Sequence, residues 1–184
     1  VLRYNAQGQV VLEIDALGRA QEIEYEANGL DARARYAARW QVDAASPQGR
    51  ITRLEELARY GYNARGQLNE IQGSAGRTLR LGYGEVVPYA LESVTDLPSG
   101  RVTRYGRRVL NPLAAVGERV IQHWVQDPDG HEASTDYQRG WRIASRAGGI
   151  EERWVGHDAF GRPQSYLYND QVRAVYQYAG LRLA

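Results

Sequence analysis

The chain has 184 residues, 43% of them hydrophobic and 24% charged, which is the composition of a folded domain with a core and not of a disordered tail. Its 23 basic and 22 acidic groups nearly cancel to a net charge of +1, which leaves no electrostatic footprint for nucleic acid or an anionic membrane. With no cysteine there is no disulfide framework, thiolate metal site or cysteine nucleophile, and no apolar run approaches the roughly 18–20 residues needed to span a bilayer as a helix. Every basic residue is arginine, and Tyr outnumbers Phe by 13 to 1. Tyr favours strands and can bury its ring while its hydroxyl stays wet, so this bias predicts thin, half-exposed sheets. The Arg, Ala and Gly usage suggests a GC-rich bacterial genome. The start at Val1, without methionine or signal-peptide pattern, suggests an excised or processed piece.

In chain order the first recognisable unit is Tyr4-Asn5-Ala6-Gln7-Gly8, then a strand-like run Gln9 to Ile14, then Gly18-Arg19 and Tyr25. An Asx residue followed by Gly is turn chemistry, and the run after it is apolar and partly alternating, as a strand with one buried face should be. Residues 26–46 fit this pattern poorly, and the Ala and Arg content of Ala32 to Arg39 allows a short helix there. The unit then returns as Tyr62-Asn63-Ala64-Arg65-Gly66, Gly76-Arg77 and Tyr83, with every anchor at the same interval. Looser copies follow. Gly100-Arg101 leads to Tyr105; residues 109–125 are irregular; Asp127-Pro128-Asp129-Gly130 leads to Tyr137 and Gly140; His157-Asp158-Ala159-Phe160-Gly161-Arg162 leads to Tyr168. A turn about every ten residues predicts a meander of antiparallel hairpins, none of which buries its face alone.

These anchors resemble the YD repeat of RHS proteins, whose units run approximately Tyr-Asp-x-x-Gly-Arg, a strand, then a second Gly and a Tyr. Asn often stands here where that family has Asp. The resemblance implies an all-β fold: an antiparallel meander of hairpins over residues 1–184 forming a curved sheet, part of an RHS-type shell. It also implies a role. Such shells enclose a toxic cargo domain in secreted or delivered bacterial effectors, some of them loaded on a type VI secretion machine. The partners would be the remaining shell, the cargo and the secretion machinery, with oligomers possible through exposed edge strands. The related teneurins carry such a shell on an adhesion receptor, which keeps a glycan- or protein-binding surface module as the alternative.

The residues expected to matter are structural. They are the turn glycines Gly8, Gly18, Gly66, Gly76, Gly130, Gly140 and Gly161, and the tyrosines Tyr25, Tyr83, Tyr137 and Tyr168. Under the alternative, exposed Trp40, Trp124, Trp141 and Trp154 would contact glycan. No cofactor is expected and no catalytic motif emerges. His123, His131 and His157 lack metal-ligand spacing, Asp127 to Gly130 lacks the spaced ligands of a calcium loop, and Glu55-Glu56 and Glu151-Glu152 point to opposite faces if they lie on strands. Interleaved pairs such as Arg35-Tyr36 and Arg153-Trp154 read as cross-strand cation–π and ion-pair contacts.

Overall fold

Short β-favouring runs punctuated by Asx-Gly turns fold into antiparallel strands that follow one another in sequence order. The computed structural model describes residues 1–87, 89–179 and 182–183, with Gln48, Arg182 and Leu183 described by their backbone alone. The chain divides into two compact units, Val1–Ala90 with Val94–Arg101, and Leu91–Ser93 with Val102–Ala184.

In the first unit the strands are β1 (Leu2–Tyr4), β2 (Val10–Ile14), β3 (Arg19–Tyr25), β4 (Ala32–Asp43), β5 (Ser46–Tyr62), β6 (Leu68–Gly73) and β7 (Thr78–Tyr83). Each pairs antiparallel with the next. β8 (Leu91–Asp96) is divided between the units. In the second unit come β9 (Arg101–Val109, its first residue counted with the first unit), β10 (Val120–Gln126), β11 (Glu132–Gln138), β12 (Trp141–Ala147), β13 (Ile150–Val155), β14 (Ser165–Tyr168) and β15 (Gln171–Val175). These too pair in order. β16 (Tyr178–Ala179) and β17 (Arg182–Leu183) form a separate two-stranded ribbon. The expected all-β antiparallel meander is therefore the fold.

Two stretches depart from the sequence expectation. Residues 26–46 are not irregular beyond their first turn, and Ala32 to Arg39 is no helix: it opens β4, whose pairing with β5 is the longest hairpin. The reason is periodicity. Ala34 and Ala38 are buried while Arg33, Arg35 and Arg39 are exposed, an alternation that suits a strand and outweighs alanine's helix preference. Residues 109–125 do contain irregular backbone, a single 3-10 turn at Val116–Glu118 between β9 and β10. Asn111 closes that loop. Its Oδ1 accepts from the Val120 amide at 2.6 Å and its Nδ2 donates to the Glu118 carbonyl at 3.0 Å.

Burial is sparse, as a single layer of sheet dictates. The main apolar cluster is Leu12, Ile14, Ala20 and Ala38, flanked by Trp40 and Ile51, all in the first unit. Register shifts fall immediately before Tyr4, Tyr25, Tyr62 and Tyr137. A bulge re-aims the side chain that follows it, and Tyr25 and Tyr62 make use of this.

Candidate functional site: latched turns and a buried polar row

Five turns share one hydrogen-bond plan, opened by Asn5, Asp15, Asn63, Asp127 and Asp158. In each, the Asx amide donates to the carbonyl four residues on at 2.9–3.0 Å, and the glycine at the third following position donates back to the Asx carbonyl at 2.9–3.1 Å. The Asx Oδ1 accepts from the amides two and four residues on, at 2.8–3.1 Å. One side-chain oxygen thus satisfies two amides that the tight backbone cannot pair.

The residue closing the turn matches the residue opening it. Asp15 pairs with Arg19 at 2.6 Å, Asp158 with Arg162 at 2.7 Å and Asp127 with His131 at 3.0 Å. Asn63 instead donates to Gln67 at 2.8 Å, and Asn5 donates to the Gly29 carbonyl at 3.0 Å. The three carboxylates thus pair with arginine or histidine, and the Asn63 amide pairs with an amide. Side-chain hydrogen bonds from Arg19, His131 and Arg162 hold the carboxyls of Asp15, Asp127 and Asp158 below the usual aspartate range.

Seventeen residues after three of these glycines a tyrosine hydroxyl donates to the backbone carbonyl just past the turn. Tyr25 bonds Val10 at 2.9 Å, Tyr83 bonds Leu68 at 2.7 Å and Tyr178 bonds Pro163 at 2.8 Å, each across 15 residues. Tyr62 makes a longer latch to the Ala32 carbonyl at 2.8 Å. Of the expected tyrosines, Tyr25 and Tyr83 are therefore latches. Tyr137 instead packs edge-on against His123 at 5.5 Å, and Tyr168 lies 5.9 Å from the Arg173 guanidinium. The sequence pattern marks Tyr62 only as the residue that opens its turn, and does not single out Tyr178. For Tyr178 the available signal was the longer interval from Gly161, which the nearer Tyr168 masked.

The seven expected turn glycines all have positive φ, from 74° to 91°. They do not form one class. Gly140 follows Arg139 in a two-residue turn with φ of 53° and 82°, the reversal that tight hairpins favour. Gly76 uses the five-residue backbone plan with Gly73 in place of the Asx residue.

None of the four tryptophans is exposed: all are half-buried, and each ring is engaged within the chain. Trp40 packs on Gly49 with Arg3 at 4.5 Å, and Trp124 covers its cross-strand partner Gly106. Trp141 lies between Gly161 and the stacked ring of His157 at 5.6 Å, and Arg142 sits 3.8 Å over Trp154. A glycine opposite a large ring leaves the ring room to lie flat on the sheet.

The second unit adds a row of buried polar groups. Asp136 is only 3% exposed and Gln122 only 4%. Gln122 Nε2 donates to Asp136 Oδ1 and Arg146 donates to Asp136 Oδ2, both at 2.7 Å. Arg108 donates to Gln122 and to Glu132, and Arg146 reaches Glu151 at 2.7 Å. The row thus runs across β9 to β13, with every buried polar end matched. It borders a groove of about 590 Å³ that also contains Trp141, Trp154 and His157.

These geometries support hydrogen bonding and rigidity. Among the described residues no cluster of three or more His, Asp or Glu side chains is arranged to hold a metal ion, and no helix is long and apolar enough to cross a membrane. No protein-family model and no curated protein matches the chain.

Proposed function

We propose that this chain is a wall segment of a larger secreted or delivered bacterial protein of RHS type, a non-enzymatic sheet that encloses a toxic cargo domain. The observation that carries the reading is the latch repeated at Val10–Tyr25, Leu68–Tyr83 and Pro163–Tyr178. Each copy spends its Asx, Gly and Tyr residues on its own turn, which is how a modular wall extends by repetition. The same residues would stand free to meet a ligand if the chain were a recognition module. The tryptophans point the same way, since their rings already face glycine, arginine or histidine within the chain.

Electron cryo-microscopy of the natural gene product tests this directly. The expected image places residues 1–184 in the wall of a closed lumen with density for a cargo inside. A map in which these residues form a free-standing module, with no lumen beside them, overturns it.

A further inference from the structure

On one face of β9, β10 and β11 three polar side chains stand directly across from one another: Arg107 opposite His123, and His123 opposite Thr135. Adjacent strands lie about 4.8 Å apart, so guanidinium, imidazole and hydroxyl follow at that step. The next row sets Ile121 opposite Tyr137. With Arg139 and Gly140 these residues line an open groove of about 580 Å³.

The groove lining is basic. Arginines elsewhere in the chain commonly meet carboxylates: Arg19, Arg53, Arg59, Arg146, Arg153 and Arg162 all do. Here two arginines and a histidine line a groove with no acid in its lining. Arg139 is held from outside it by Glu118. The Arg107 guanidinium has no ion pair or hydrogen bond among the described residues, and neither do the His123 ring nitrogens or the Thr135 and Tyr137 hydroxyls. The carboxylate in line with this row, Glu152, stands two strands beyond Thr135 and accepts from the Tyr166 hydroxyl at 2.7 Å.

We infer that this groove binds a tetrahedral oxyanion, phosphate or sulfate, through Arg107, His123 and Thr135, with Tyr137 and Arg139 at its border. A guanidinium fork offers paired N–H donors to two oxygens of such an anion, while the imidazole and hydroxyl reach the others. Ile121 and the Tyr137 ring give the groove an apolar side suited to the carbon body of an ester. Enclosing a cargo requires no such site, so this binding is independent of the wall reading.

The test is an NMR titration of the whole chain with inorganic phosphate, inorganic sulfate and glycerol phosphate in turn, at fixed pH and ionic strength. The three histidines supply their own control, because His131 and His157 lie outside the groove. The expected result is a saturable shift of the His123 ring alone. Arg107→Gln should weaken it about tenfold, the loss of a charge-assisted contact, while Arg173→Gln leaves it unchanged. Circular dichroism confirms that both variants remain folded. Tighter binding of glycerol phosphate than of inorganic phosphate makes the ligand an ester, and equal binding makes it the free anion. Either supports the site. If the three histidines drift together, or Arg107→Gln keeps the wild-type midpoint, the site does not exist.

Discussion

Both units use the same Asx-Gly turn but fill their buried positions differently. The first buries Leu12, Ile14, Ala20, Ala34 and Ala38, with Gln67 as its polar exception. The second buries Gln122, Ser134 and Asp136, with Ala144 as its apolar exception. Turns and latches therefore set the strand path, while the row between them can be held either by apolar burial or by matched hydrogen bonds. The two solutions fail differently. An apolar row loses stability in proportion to the volume removed. A polar row collapses when one partner goes and leaves the others unmatched.

The largest expected effect tests the apolar row. Leu12→Ala should cost about 3 kcal/mol, since Leu12 is 1% exposed and the sheet has little else to refill the gap. Asp136→Ala should cost about 2 kcal/mol, because Gln122 loses its acceptor while Arg146 keeps Glu151. Replacing Gln122, Asp136 and Arg146 together with Leu, Leu and Met should come close to neutral if the row is interchangeable with an apolar one. Urea midpoints at constant m-value read all three. A triple variant as unstable as Asp136→Ala would show that the polar row carries more than packing.

The features shared by the units should respond alike. At Gly66 and Gly130 an added Cβ would meet no atom within 4 Å, so substitution there costs only the strain of positive φ. Gly66→Val and Gly130→Val should each lose about 1–2 kcal/mol. Tyr83→Phe and Tyr178→Phe should each lose about 1 kcal/mol, one hydrogen bond to a partly buried carbonyl. A clear difference between the units at either pair would mean that turn or latch is not a common module.

The smallest effect is one of pH. Asp15, Asp127 and Asp158 have carboxyl pKa values depressed below 3.8 by Arg19, His131 and Arg162. A depressed folded-state pKa contributes stability above the unfolded value, and that contribution disappears as pH falls through the folded one. Stability should therefore be flat above about pH 5 and decline below about pH 4. Asp15→Asn and Asp158→Asn should shallow the decline, and added salt should blunt it, since these pairs lie at the surface.

Turn placement was legible because Asx and Gly have few places to go. Asn5, Gly8, Asn63 and Gly66 announce a backbone reversal whatever surrounds them. Strand alternation in Ala32 to Arg39 is just as visible, but it lies outside the repeat pattern, and alanine's helix preference leaves a short helix open until burial decides. The latches were half legible. Equal spacing points to Tyr25 and Tyr83, but whether a hydroxyl reaches a carbonyl 15 residues back depends on how the strand aims the ring, and at Tyr25 a bulge with no residue signature sets that aim. The polar row was hidden for another reason. Gln122, Asp136 and Arg146 are far apart in sequence, and their register depends on the length of the irregular loop before β10 and on the bulge at Asp136 and Tyr137. Exposed aromatics looked available to a ligand because nothing in the sequence says that Gly106 stands opposite Trp124 or Gly161 beside Trp141.

The most direct test of the wall reading is limited proteolysis of the natural gene product, wild type against a variant with Tyr25, Tyr83 and Tyr178 all changed to Phe. If the chain is wall, the wild-type cargo resists protease while intact, and the unlatched variant exposes chain and cargo together. Equal cleavage of the rest of the protein in both, whatever happens to residues 1–184, would contradict an enclosing role.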